Sequence, residues 1–299
     1  MTWRLAALIF FLAALPAAAQ NCEAIKSGVD ANKKPQNTGR EIVGRSLDDI
    51  QEQGWMLFAI YEDFAPYSYN KNGELSGVDV DVARLIAKEL GVEARFYKTR
   101  ADENVDADLR NNIWKGRLIG GPIANVMMRI PYNRELACRN EQVVLNGQYH
   151  NEKIGIAYSK KNYPDGGPVP AYFRFDTVGV ENDTISDFYL AGIGGGQLVP
   201  KMKRYKNYSD AMAALEDGSV KAVMGPLAEL EDGLGGDLTT HTPPLPGLAR
   251  AEWTLGIAVR HNWRPLSYAV DDAIRAAVED GRMKAIFAAH GLSYTAPKW

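Results

Sequence analysis

The chain has 299 residues, of which 46% are hydrophobic and 24% charged, a composition too apolar for a disordered protein and a length suited to about two domains. Its 34 Lys and Arg against 37 Asp and Glu give a net charge of -3 with no basic block, so the electrostatic footprint of a nucleic-acid binder is missing. The histidines, His150, His241, His261 and His290, are scattered without a His-Glu-x-x-His pair, and no Gly-x-Ser-x-Gly elbow is present. Gly192 to Gln197 lacks the third glycine of a dinucleotide fingerprint and reads as a helix end and turn. No metal or cofactor is expected.

Arg4, the apolar run Leu5 to Leu15, Pro16 and Ala17 to Ala19 follow the plan of a secretory signal cut after Ala19. The run is too short to span a bilayer, and no later run is long and apolar enough for a transmembrane helix. Asn21 stands where a lipoprotein signal wants a small residue, so a soluble periplasmic protein is expected. Cys22 and Cys138 lack zinc or redox spacing. In an oxidising compartment they form either one disulfide or two unpaired thiols.

Residues 20–50 form a polar extension, with a short helix capped by Ser46 at its end. Trp55 to Tyr61 predicts a buried strand, Glu62 to Tyr69 a loop rich in aromatics and proline, and Gly77 to Gly91 an amphipathic helix carrying Val82, Leu85, Ile86 and Leu90. Glu93 to Lys98 predicts the next strand, completing a unit of parallel sheet. Asp108 to Lys115 reads as helix, Asn125 to Ile130 as strand, Pro131 to Asn140 as a turn and short helix, and Lys153 to Tyr158 as strand. Beyond the loop at Lys160 to Pro170, strands are expected at Thr177 to Glu181, Val199 to Lys203, Val220 to Met224 and Trp253 to Val259. Helices are expected from Thr184, at Ser209 to Asp217, at Pro226 to Asp232, and over Leu266, Val270, Ile274 and Val278.

Gly77-Val78-Asp79-Val80-Asp81-Val82-Ala83, after the Pro66-Tyr67-Ser68-Tyr69 loop, resembles the signature of the family 3 extracellular solute-binding proteins of ABC-type importers. Asn207-Tyr208 through Val223 resembles that family's second-lobe helix and strand, and Gly256 to Arg260, followed by the helices up to His290-Gly291, its carboxy-terminal return. The resemblance implies a two-lobed α/β periplasmic-binding-protein-like fold of type II, each lobe a mixed sheet flanked by helices, joined by a two-segment hinge. Lobe 1 would comprise residues 51–149 and 248–299 and lobe 2 residues 150–247, with crossings near Tyr149 to Ile154 and Pro246 to Trp253. A small molecule would bind between the lobes, and closure would trap it.

The ligand set that the resemblance implies is Tyr61, Glu62, Phe64, Tyr67, Met128, Arg129, Arg134, Thr184 and Pro226. Phe64 and Tyr67 are read either as walls of the cleft or as cover for the core. Arg134 matches the arginine that clamps a ligand carboxylate in amino-acid binders, a task suited to the two parallel donors of a guanidinium; otherwise it is a solvated or salt-bridged side chain. Arg129 stands where amino-acid binders often carry a hydroxyl, and either adds charge to the pocket or obstructs it. Thr184 is read as a helix cap or an anion contact at a helix start. Pro226 replaces the aspartate that pairs with a ligand ammonium, so the expected ligand is a small anionic organic solute unless Glu62, Asp63 or Glu229 takes that role. A monomer serving an ABC permease is expected, with no catalysis. An alternative is an accessory protein of a periplasmic quinoprotein dehydrogenase, docking through Asp102 to Pro122; an enzyme using Glu62 or Asp63 as general acid is a third reading.

Overall fold

Apolar runs and amphipathic stretches alternate from residue 44 onward, and most become the element their pattern favours. The computed structural model describes Cys22 and residues 44–299; the expected signal segment and most of the expected 20–50 extension lie outside the described residues. The chain divides into two units, residues 1–36 and residues 37–299, and the elements from Leu47 onward all belong to the second. Neither Cys22 nor Cys138 is a free thiol.

Helix α1 (Leu47–Gln53) starts at Ser46, whose side chain forms a capping box with Asp49, and ends at Gly54 in the left-handed region. Strand β1 (Trp55–Tyr61) follows, then a small hairpin of β2 (Tyr69–Lys71) and β3 (Glu74–Ser76), which lies almost wholly beyond the expected Glu62 to Tyr69 loop. Helix α2 (Val78–Glu89) buries Val78, Val80, Val82, Ala83 and Ile86 and leads to β4 (Glu93–Thr99), parallel to β1 with Trp55 opposite Glu93. Helix α3 (Val105–Leu109) runs into a π turn at Arg110–Trp114, and β5 (Val126–Pro131) lies parallel to the other side of β1. Helix α4 (Arg134–Arg139) precedes the long strand β6 (Val143–Ser159).

The second half holds β7 (Val178–Glu181), α5 (Ile185–Gly192), β8 (Met202–Tyr205), α6 (Tyr208–Glu216), β9 (Ala222–Pro226), α7 (Leu227–Asp232) and β10 (Leu238–His241). The strand expected at Val199 to Lys203 starts later, because Pro200 lies in a 3-10 turn at Val199–Lys201. Strand β11 (Glu252–Arg260) returns to the first half, followed by α8 (Arg264–Glu279) and α9 (Arg282–Ala289), which are separated at Gly281 with φ 86°.

The described strands, the β2–β3 hairpin apart, form one sheet in the order β4-β1-β5-β11-β6-β9-β7-β8, with β10 also on β6. The fold is the expected two-lobed mixed α/β architecture. Strand β6 belongs to both halves: it pairs with β11 from Val143 to Lys153 and with β9 from Ile154 to Tyr158. The crossing expected at Tyr149 to Ile154 is therefore the middle of an unbroken strand, zipped to the second crossing by pairs such as Lys153 with Glu252 and Asn151 with Thr254. The strand expected only at Lys153 to Tyr158 starts ten residues earlier. Its first half was hidden by Asn146, Gln148, His150, Asn151 and Glu152, of which the last four are buried. Burial is tolerated because polar partners are built in: the Asn146 amide donates to Ser267, that of Asn151 to Glu252, and the Tyr67 hydroxyl to Glu152.

Two cores flank the first half of the sheet. One gathers Phe58, Tyr67, Val80, Met128, Tyr149, Ile274 and Phe287; the other, on the opposite face, gathers Ala59, Leu109, Met127, Ile130 and Leu145. The second half has its own, around Ile156, Phe173 and Met224 and around Ala157, Met212 and Leu230. Among the described residues no helix is long and apolar enough to cross a membrane.

Candidate functional site

The loop after β1 is fastened to the start of α2. The Val78 amide donates to the Pro66 carbonyl at 3.1 Å and the Asp79 amide to that of Tyr67 at 2.9 Å, so free donors of the first turn are used to hold the loop. This close approach depends on Gly77, which has φ 126° and where a Cβ would fall 2.2 Å from the Tyr67 carbonyl oxygen. Within the loop the Phe64 amide donates to the Ser68 carbonyl and the Ser68 hydroxyl to that of Tyr61. Phe64 and Tyr67 are thereby fixed, and Asp79, on the first turn of α2, is carried beside them.

Arg129 reaches the same place through a bulge. Val126 and Met128 point into one core and Met127 into the opposite one, as strand alternation requires. Regular alternation would send Arg129 with Met127, but the register against β11 slips between Gly256 and Ala258, and Arg129 adopts φ 61°. The extra residue restarts the alternation one position late. Ile130 takes the Met127 side and Arg129 joins Met128 and Tyr67.

The Arg129 guanidinium carbon lies 3.6 Å from the Phe64 ring centroid and 4.1 Å from that of Tyr67, over the face of each ring. Its Nη2 is 3.4 Å from Glu229 Oε1 on α7, and the two side chains are only 11% and 9% exposed. That contact joins β5 of the first half to α7 of the second. The Tyr67 hydroxyl donates to Glu152 Oε2 at 2.5 Å, and the Tyr149 hydroxyl to Asp79 Oδ1 at 2.7 Å. Asp79 Oδ2 and Arg129 Nε are buried without hydrogen-bond partners.

Burial raises the pKa of every carboxyl in this cluster. Asp79 is pushed up to about 7 and Glu229 to about 8 by desolvation, with Arg129 opposing in both cases. Glu152 is raised for the same reason, and Glu181 as well. Burial works against the Arg129 charge, but Glu229, Tyr67 and Asp79 outweigh it and the pKa rises above its ordinary value. The cluster therefore holds one fixed cation beside two carboxyls, Asp79 and Glu229, whose pKa values are pushed up to about 7 and about 8.

The remaining expected ligand residues are distributed differently. The Tyr61 hydroxyl donates to Asp108 Oδ2 at 2.7 Å, and Glu62 is ion-paired with Arg100. Met128 is fully buried in core. Thr184 caps α5, accepting from the Asp187 amide at 3.4 Å and donating to the Glu181 carbonyl at 2.8 Å, so its hydroxyl is spent locally. Pro226 ends β9 opposite Ile154 and starts α7, which positions Glu229. Arg134 opens α4 just past β5, is exposed, and has no ion-pair partner among the described residues. Because β1 and β5 are parallel, Arg134 leaves the sheet at the same carboxyl edge as the Phe64 loop, the edge that forms the crevice in open α/β sheets. Asp79, Tyr149 and Glu152 were not foreseen as site residues; the signal available was a charged residue inside an apolar helix face and a polar run inside a strand.

Comparison with known proteins finds likenesses in a family motif, in sequence and in fold. The family model for bacterial extracellular solute-binding proteins, family 3, matches residues 56–113, which include the Phe64 loop and α2. ABC transporter arginine-binding protein 1 of Escherichia coli (strain K12) is 23% identical over 240 residues, covering 77% of this chain and 87% of that protein. Among solved structures, an ancestral cationic amino acid solute-binding protein superposes with a TM-score of 0.66 at 21% identity, covering 82% of this chain and 99% of that one. An amino acid ABC transporter substrate-binding protein from Streptococcus pneumoniae, bound to L-arginine, gives 0.57 at 20% identity, covering 84% and 100% of the two chains.

Proposed function

We propose that this chain, which belongs to the family 3 extracellular solute-binding proteins, is a periplasmic receptor that closes its lobes on a small organic acid and presents it to an ABC permease. The observation that carries the acid is the pair of arginines at one sheet edge. Arg129 is locked among Phe64, Tyr67 and Glu229, whereas Arg134 is exposed with its fork of donors unclaimed by any ion pair among the described residues. A guanidinium of that kind is suited to a carboxylate. The relatives are named for arginine or cationic amino acids; here a side-chain cation already stands beside the carboxyls, which favours a solute without one. Binding is favoured over catalysis, since Glu62 at the same edge is engaged by Arg100. Titration calorimetry with monocarboxylates and dicarboxylates tests this reading: Arg134→Ala is expected to weaken the best acid at least about tenfold, the loss of one charge-assisted contact. Unchanged affinity would remove Arg134 from the site.

A second reading, an accessory protein of a periplasmic quinoprotein dehydrogenase, is favoured by the loop before β5, where Leu118 and Ile119 are fully exposed. Replacing both with aspartate would abolish co-sedimentation with such a dehydrogenase if that loop is the docking surface.

A further inference from the structure

Arg129 is held by groups that its own strand does not need. Phe64 and Tyr67, from the loop after β1, and Glu229, from α7, touch it, while the buried carboxyls of Asp79 on the first turn of α2 and Glu152 in the middle of β6 act on it through charge. Two aromatic faces with carboxyls at the rim are the means by which a site recognises a guanidinium or ammonium solute. In this chain the recognised group is covalently part of the protein, delivered by a bulge with a left-handed non-glycine residue. The fit is incomplete: Arg129 Nε has no acceptor and Asp79 Oδ2 has no donor.

We infer that Arg129 is a tethered cation that occupies a cation seat in the cleft and sets specificity by excluding guanidinium and ammonium solutes. Exclusion follows from volume and from charge. The guanidinium covers both ring faces and is almost fully buried, and a second cation beside it would meet like-charge repulsion. The seat thus selects against what its lining would otherwise attract, an internal form of negative selection. The inference rests on the proposed use of the interlobe space as the solute site.

Calorimetric titration of methylguanidinium into wild type, R129G and R129G/F64A tests it. Glycine suits the φ of 61° and empties the seat. R129G is expected to bind methylguanidinium at least about tenfold tighter than wild type, about 1.4 kcal/mol, and F64A in that background to remove most of the gain. Equal affinity in wild type and R129G overturns the inference, and so does a gain that persists in the double variant. Should R129G fail to fold, R129N, which also tolerates the left-handed region, carries the same expectation. Failure of the organic-acid reading looks different: the acid then binds wild type and Arg134→Ala alike, whatever methylguanidinium does.

Discussion

At the scale of single residues, the site turns on one arginine in an unusual backbone state. A non-glycine residue at φ 61° costs about 1 to 2 kcal/mol, and Arg129 meets that cost because its side chain is held by two rings and the Glu229 carboxyl. Arg129→Ala keeps the backbone cost and removes the cation from a buried cluster, so urea denaturation should show a loss of about 3 kcal/mol. Arg129→Gly should lose about 1 kcal/mol less, since it relieves the left-handed strain. Equal losses would separate the backbone conformation from the energetics. The arginine was legible in the sequence as an intruder in Met127-Met128-Arg129-Ile130, but its direction was not. Period-two reading puts it on the Met127 face, and only the slip opposite Gly256 turns it toward Tyr67.

At the scale of elements, the joint between the Phe64 loop and α2 does the positioning. Gly77 lets the Tyr67 carbonyl accept from Asp79, and the same joint sets Tyr67 toward Glu152. Gly77→Ala would drive a Cβ into the Tyr67 carbonyl at a φ that alanine avoids, so a loss of about 3 kcal/mol or more is expected by chemical denaturation. Tyr67→Phe is milder, costing about 1 to 3 kcal/mol through the buried Glu152 left without its donor. Most elements could be read from periodicity and caps, including α1, α2, β1, β4 and α8. Strand β6 could not, because its polar residues are paid for by partners distant in sequence, such as Ser267 and Glu252. The hairpin of β2 and β3 was missed for the opposite reason: three-residue strands carry too little pattern to register.

At the scale of the whole molecule, two lobes share one sheet through β6 and β11, and the Arg129–Glu229 contact ties β5 to α7 across the division. This makes stability depend on pH in a definite direction. Asp79 and Glu229 hold their protons to about 7 and about 8 in the folded protein, well above the ordinary carboxylate values of an unfolded chain. The folded state therefore binds more protons between those limits, and the contribution of these groups is fully present at acid pH and lost as pH rises through 7 and 8. Melting temperature measured from pH 5 to 8.5 should fall more steeply for wild type than for Glu229→Gln, which has no proton to lose; identical slopes would place the titration elsewhere.

The central claim is that the cleft closes on a small organic acid held by Arg134. Thermal unfolding of wild type and Arg134→Ala against a panel of carboxylates, amino acids and amines tests it most directly, because a solute that binds only the native state at 100 times its Kd adds about 2.7 kcal/mol. At least one carboxylate should raise the wild-type melting temperature by about 5 °C or more and lose most of that effect in Arg134→Ala, while arginine and simple amines leave both proteins unmoved. A panel in which amines raise the melting temperature and no carboxylate does so would contradict it.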